Sequence, residues 1–217
     1  NQIIKAGTLL MLGHSLDSIK KTTNYLNSST NKVAIKKAIF PWSRFPAEDT
    51  MLGPEMKATG EVLGIGRSFG VALNKAYAAA GVEINENEKG IFVSLSDQEK
   101  PNFIKIVKTY SDLGFKIYST YGTGEYLKNN DINSTIVGRA DETFPTSLTI
   151  IQDKLISLVI NTPTFANEYT DGWKIRRLSH ETGVAVVSSV REAEAFLKAF
   201  LETTKSFEDM EAIQNVS

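Results

Sequence analysis

The chain has 217 residues, 41% of them apolar, a formal net charge of −1, no cysteine and two histidines. A near-neutral chain offers no field for nucleic acid or an anionic membrane, and without thiols it holds no disulfide or zinc–thiolate centre. His14 and His180 are too few for a histidine-based metal centre, and no run approaches the ~20 apolar residues of a membrane span.

Residues 3–12 are apolar at most positions and read as a buried helix; Leu9-Leu10-Met11-Leu12 is too short for a signal peptide. Residues 15–27 read as a second helix or turn with a lysine-rich face. Residues 32–40 place Val33, Ile35, Ala38 and Ile39 among lysines and read as a strand. Pro41-Trp42-Ser43-Arg44-Phe45-Pro46 is a packed loop, and residues 52–56 form a turn. A strand over 59–66 then ends in Gly64-Ile65-Gly66, and a helix over 67–80 buries Phe69, Val71, Ala72, Leu73 and Ala76. Gly-x-Gly before a helix raises a dinucleotide reading, but the third glycine and the acidic partner are missing. Glu55 and Glu61 straddle a turn and share no face, so a structural role is favoured over acid chemistry. Trp42 and Trp173 read as packing residues, with Trp173 near the rim described below.

Residues 81–90 form a polar connector, which divides the chain into segments 1–82 and 90–217. Beyond it the pattern is regular. Strands are expected over 91–95, 115–120, 134–138, 155–161 and 183–188. Helices are expected over 100–113, 122–129, 172–181 and 190–203, with a loop or helix at 145–153 and a polar tail from 204. Strands that alternate with helices and carry near-continuous apolar runs predict an α/β fold. It is a five-stranded, mostly parallel, doubly wound sheet covered on both faces.

In such sheets ligands bind beyond the carboxyl ends of the strands. Those ends are Ser94 and Ser96, Ser119 and Thr120, Arg139, Asn161 and Thr162, and Ser188 and Ser189; Lys100 opens a helix beside the same rim. The stretch 115–124 runs from a strand through a hydroxyl-rich glycine turn into a helix, which suits an anion. Glycine lets the backbone come close, and the first helical N–H groups point outward. Thr120 and Thr123 are the candidate phosphate ligands; the alternative is that Gly122 and Gly124 only shape a turn. A cup of donors with few acceptors suits phosphate. Lysine at a helix N-terminus opposes the helix dipole, so Lys100 asks for a partner there.

Further motifs carry a family resemblance. Phe45-Pro46 is followed by the run Leu52-Gly53-Pro54-Glu55-Met56-Lys57-Ala58-Thr59-Gly60-Glu61-Val62-Leu63-Gly64-Ile65-Gly66-Arg67-Ser68-Phe69. This run resembles the end of the second ATP-grasp half of carbamoyl-phosphate synthase large subunits. Residues from about 90 to 199 are similar to the same subunit's regulatory domain, which shares its fold with methylglyoxal synthase. The resemblance implies a methylglyoxal-synthase-like sheet preceded by a partial α+β ATP-grasp tail. It implies an effector, UMP, IMP or phosphoribosyl pyrophosphate, held by Ser94, Lys100, Thr120, Thr123, Arg139, Asn161, Thr162 and Asp171. Thr120, Thr123 and Lys100 would take the phosphate, and Asn161, Thr162 and Asp171 the sugar side. Arg139 stands where the family has lysine and offers a planar fork instead. Pro163 replaces a hydroxyl that some members have. Ser188-Ser189 replace the acid and threonine of ornithine-responsive members, which argues against ornithine activation.

The family makes carbamoyl phosphate from bicarbonate, glutamine-derived ammonia and ATP, for pyrimidine and arginine biosynthesis. It uses Mg²⁺ (or Mn²⁺), and a glutamine-amidotransferase small subunit is its partner. The resemblance places the metal ligands upstream of Asn1, and a start on Asn rather than Met points to a fragment. The segment is therefore expected to be a cytoplasmic regulatory module with no catalytic residue, metal or cofactor of its own, inactive alone. It is expected to meet neither nucleic acid nor membrane, with room for a homo-oligomer. Two other classes stand beside it. One is a methylglyoxal synthase-like lyase, which needs an Asp–His cluster. The other is a purely structural oligomerisation segment.

Overall fold

The computed structural model describes residues 2–22, 31–40, 42, 50, 60–82, 90–139, 142, 145–162 and 170–203, which fall into two compact units divided after Lys32. In the first, α1 (Gln2–Met11) turns through Gly13 (φ +90°) into α2 (Leu16–Thr22). Ala6 and Ile19 are buried, but Ile3, Ile4, Met11 and Leu12 are exposed. The helix expected over 3–12 is therefore present but not buried.

The second unit opens with an antiparallel hairpin of β1 (Val33–Ile39) and β2 (Gly60–Gly66), followed by α3 (Phe69–Ala79). Ser68 caps α3, its hydroxyl accepting the Val71 N–H. The helix lies directly on the hairpin. A Cβ on Gly64 would fall on the Ala72 carbonyl oxygen and the Ala76 amide, and one on Gly66 would stand 2.8 Å from the Ala72 amide. The two glycines of Gly64-Ile65-Gly66 thus let a helix approach a strand. Glu61 pairs with Lys36 across the exposed face of the hairpin at 2.8 Å. The predicted turn at 52–56, with Glu55, lies outside the described residues, as does the polar tail from 204.

The larger sheet comprises β3 (Gly90–Ser94), β4 (Lys116–Ser119), β5 (Thr135–Ile136), β6 (Leu158–Asn161) and β7 (Ala185–Val187). Its order is β5-β4-β3-β6-β7, and every pair is parallel. The connections and flanks supply α4 (Lys100–Asp112), α5 (Tyr121–Lys128), α6 (Ser147–Gln152), α7 (Asp171–Thr182) and α8 (Val190–Thr203). The two-residue side-chain period of β3 sorts the core into two. Ile91 and Val93 pack with Phe103, Val107 and Phe196, and Phe92 packs on the opposite face with Ile151 and Ile175. Each fully buried large side chain contributes about 1.5–3 kcal/mol, so both layers hold the sheet. The doubly wound α/β expectation is met, with every strand of this sheet parallel.

The strand expected over 134–138 is shorter because it is the edge. Only Thr135 and Ile136 pair with β4, and Gly138 instead bridges Thr146. Thr146 then caps α6, its hydroxyl accepting the Thr149 N–H at 3.2 Å. The hairpin layer joins the sheet through α3 and α8. Tyr77 meets Phe196 edge-on at 4.6 Å, and Gly70 brings α3 close to Ala199. Trp42 packs as expected, stacked on Phe40 at 5.3 Å and tilted onto His180 at 5.9 Å. Among the described residues no helix is long and apolar enough to cross a membrane.

Candidate functional site

The strand order reverses between β3 and β6. The chain leaves β3 through α4 to one side and leaves β6 through α7 to the other. A cleft must open beyond the carboxyl ends at such a switch point. One of about 740 Å³ does, walled by the residues after β3, the start of α5, Arg139 with Glu142, the end of β6 and the start of α7.

The α5 wall is the most constrained. Thr120 precedes the helix in extended backbone (φ −68°, ψ 158°), and its hydroxyl donates to the Thr123 hydroxyl at 3.2 Å instead of capping the helix. Thr123 Oγ1 also accepts the Leu95 N–H at 3.0 Å, which ties the end of β3 to α5. The first intrahelical bond runs from the Gly124 N–H to the Thr120 carbonyl, so the amides of 121–123 lead the helix with no intrahelical acceptor. Gly122 is open: a Cβ there would meet only the Lys100 ammonium, at 3.8 Å. Gly124 is packed, and a Cβ there would stand 2.7 Å from Ser119 Oγ and 2.8 Å from Ile136. One glycine of the turn therefore faces the ligand space, and the other seats the helix on the sheet. Lys100 approaches this end of α5 while paired to Asp97 at 2.6 Å; its side chain is 12% exposed and that of Asp97 is 92% exposed.

The opposite wall is held by cross-links between strand ends. Asn161 Nδ2 donates to the Ser94 carbonyl at 3.4 Å, and Asn161 Oδ1 accepts from Arg176 Nη1 at 2.6 Å. Thr162 Oγ1 accepts the Ser96 N–H at 2.8 Å. Asp171 opens α7, which Thr170 caps by accepting the Trp173 N–H. The exposed backbone N–H of Arg139 donates to Glu142 Oε2 at 3.0 Å.

Of the residues proposed from sequence, Ser94, Thr120, Arg139, Asn161, Thr162 and Asp171 line this one cleft. Lys100 and Thr123 stand behind its α5 edge. Ser188 and Ser189 do not reach it. They follow the edge strand β7, and their N–H groups and hydroxyls all bond to Glu192 Oε2, capping α8. Sequence reasoning missed Glu142, Thr170, Gly172 and above all Arg176, a buried guanidinium in the cleft wall. Its one signal was position: four residues past Gly172, it lies on the same face of that helix.

The lining offers hydroxyls, amides and guanidinium groups against the carboxylates of Glu142 and Asp171, and it contains no histidine. Among the described residues no group of three His, Cys, Asp or Glu converges as a metal site. The arrangement gathers hydrogen-bond donors from hydroxyl, amide and guanidinium groups around one cleft.

This sheet and rim define an MGS-like domain, and residues 102–188 match that family's model. Similarity extends well beyond it. The chain is 37% identical over 187 residues to the carbamoyl phosphate synthase large chain, C-terminal section, of Aquifex aeolicus, covering 86% of this chain and 35% of the relative. It is 33% identical over 214 residues to the corresponding C-terminal section of Methanocaldococcus jannaschii, covering 95% and 34%. It is 34% identical over 212 residues to the carbamoyl phosphate synthase large chain of a Nostoc species, covering 98% and 19%. The chain thus spans about a third of the C-terminal sections and about a fifth of the full large chain. It is a homologue of the C-terminal part of carbamoyl phosphate synthase large chains.

Proposed function

We propose that this chain is the regulatory, effector-binding part of a glutamine-hydrolysing carbamoyl phosphate synthase large chain, acting in the cytoplasm. The observation that supports it is the cleft at the β3/β6 switch point, with a phosphate-suited helix start on one wall and fixed polar side chains on the other. The effector is a phosphorylated ribosyl compound: UMP, IMP or phosphoribosyl pyrophosphate. Its phosphate sits at the start of α5, held by Thr120, Lys100 and the leading amides, with Thr123 fixing that turn. Its sugar side meets Asn161, Thr162 and Asp171, with Ser94 and Arg139 at the flanks.

The whole enzyme joins bicarbonate, glutamine-derived ammonia and ATP with Mg²⁺ or Mn²⁺, and a glutaminase small subunit supplies the ammonia. Its product serves pyrimidine and arginine biosynthesis. This segment supplies no step of that chemistry. Residues 1–82 form the end of the second ATP-grasp half, and residues 90–217 the allosteric domain. Control works by linkage: an effector that binds one arrangement of the enzyme more tightly shifts the population toward it, and only differential affinity counts. Of the two histidines, His180 lies in the last turn of α7 against Trp42, at the far end of that helix from the cleft, which leaves a lyase reading without a proton-transfer pair.

Calorimetric titration with UMP, IMP and phosphoribosyl pyrophosphate tests the reading. Saturable binding of at least one is expected; a folded chain that binds none overturns it. Synthase turnover by this chain alone would overturn its assignment as a purely regulatory part.

A further inference from the structure

We infer that Arg176 is a positioning residue: it turns Asn161 so that the amide –NH₂, not the amide oxygen, is the group offered to the ligand, and Gly172 keeps that pair open to the cleft. The inference rests on the effector reading above and deepens it.

A guanidinium has five donors and no acceptor. The Asn161 atom 2.6 Å from Arg176 Nη1 must therefore be the oxygen, which fixes the amide orientation. Both residues are 3% exposed, so neither side chain has room to turn. Asn161 Nδ2 then directs one hydrogen to the Ser94 carbonyl at 3.4 Å, and Asn161 lines the cleft. Gly172 is the second residue of α7. A Cβ built on it would stand 3.0 Å from Arg176 Nη1, 3.5 Å from Asn161 Oδ1 and 3.8 Å from Asn161 Nδ2. Any side chain there would lie across the pair, so glycine works as a window onto it.

The consequence is a ligand class. The α5 wall takes an anion, and the Asn161–Arg176 wall presents amide hydrogens backed by a buried positive charge. A ligand that fits both carries acceptors at both ends: a phosphate at one, and a sugar oxygen, a base carbonyl or a second phosphate at the other.

The test compares whichever of UMP, IMP and phosphoribosyl pyrophosphate binds best with inorganic phosphate, which probes the α5 wall alone. The variants are Asn161→Asp, Gly172→Ala and Arg176→Met. Asn161→Asp keeps an acceptor for Arg176 but removes the donor, and Gly172→Ala suits a helix. Both are expected to fold, Gly172→Ala with a small fall in melting temperature because its methyl crowds Arg176 Nη1. Each is expected to weaken the nucleotide about tenfold or more, the loss of one hydrogen bond to a charged or charge-backed group, and to leave phosphate binding unchanged. Arg176→Met combined with Asn161→Asp is expected to lose no more affinity than the worse single variant, because the two act as one unit. If Arg176→Met does not fold, the other two variants decide. Wild-type affinity in both Asn161→Asp and Gly172→Ala overturns the inference alone, as does a parallel loss of phosphate binding. A wild-type chain that binds no phosphorylated ligand removes the effector reading and this inference together.

Discussion

The carboxylate of Glu202, in the last turn of α8, accepts the backbone N–H of Gly70, in the first turn of α3, at 2.6 Å. The leading N–H groups of a helix have no partner within it, and its N-terminus carries partial positive charge. Glu202 satisfies both from another element, so α8 runs from the rim, where Glu192 caps it, to the point where it caps the hairpin layer.

Removing that cap will loosen the hairpin layer. Glu202→Gln or Glu202→Ala is expected to cost about 1 kcal/mol, a fall in melting temperature of about 2–4 °C. The Glu202 carboxyl is held below the usual 4.5, first by the Gly70 N–H and then by the Ser68 hydroxyl. A depressed carboxylate stabilises the fold fully above its unfolded pKa and loses that contribution as pH falls through the folded one. The gap between wild type and Glu202→Gln should therefore be complete above pH 4.5 and close below it. A gap that does not vary with acid would show that the carboxylate does not act as a charged cap.

Gly64→Ala tests the opposite face of α3. The added methyl would meet the helix backbone at Ala72 and Ala76, which has no flexible end to move aside. Overpacking of this kind costs about 1–3 kcal/mol or more, and denaturant midpoints should fall accordingly. Unchanged stability would mean that α3 is not seated on β2.

The sheet was legible because its strands are almost wholly apolar, and buried parallel strands need no alternation to declare themselves. Most of the cleft was legible for the same reason: where an apolar run ends in Ser, Thr or Asn, the rim begins. Strand order was not legible. Ser188 and Ser189 end a strand as clearly as Ser94 does, yet β7 lies at the sheet edge, two places from β3, and their hydroxyls cap a helix instead. Arg176 was hidden by a sound habit of reading. A charged residue inside a helix is assigned to water unless something marks it, and Asn161, which accepts from Arg176, lies fifteen residues away in another element. The apolar α1 erred in the other direction, since its sequence gives no information on what covers it.

Tyr77 gives an alkaline signature. Burial, with a smaller effect from Glu192, pushes its hydroxyl up to about 12 from 10.0. Between those values the folded chain keeps a proton that the unfolded chain releases, so stability falls as pH rises. Tyr77→Phe removes this slope, while Lys37, 4.2 Å from the ring centre and itself lowered by burial, is common to both proteins. Unfolding free energies measured above pH 10 should therefore drop faster for wild type than for Tyr77→Phe. Parallel curves would show that the hydroxyl titrates as it does in water.

Lys100 has an exposed partner that can swing away. An ion pair whose carboxylate is open to water contributes roughly 0–1 kcal/mol, so Lys100→Ala should lower the melting temperature only slightly. A charge-assisted bond to an effector phosphate is worth about 1.5–3 kcal/mol, so the same variant should weaken the effector at least about tenfold. Asp97→Asn frees the ammonium and should bind at least as tightly as wild type. Equal affinity in Lys100→Ala would take the lysine out of the phosphate site.

Thr120 and Thr123 look equivalent in sequence, but they stand in different environments. Thr120 lines the cleft and donates only to Thr123, so Thr120→Val removes a wall hydroxyl and leaves no backbone group unpaired. Thr123 is 2% exposed and is the acceptor for the Leu95 N–H, so Thr123→Val buries an unpaired backbone donor between β3 and α5. An unsatisfied buried group costs about 1–3 kcal/mol. Thr120→Val is therefore expected to weaken effector binding with little change in stability, and Thr123→Val to lower both. Paired calorimetric titration and denaturant unfolding separate the two. If Thr123→Val keeps wild-type stability, the Leu95 N–H has another acceptor and the threonine acts at the ligand alone.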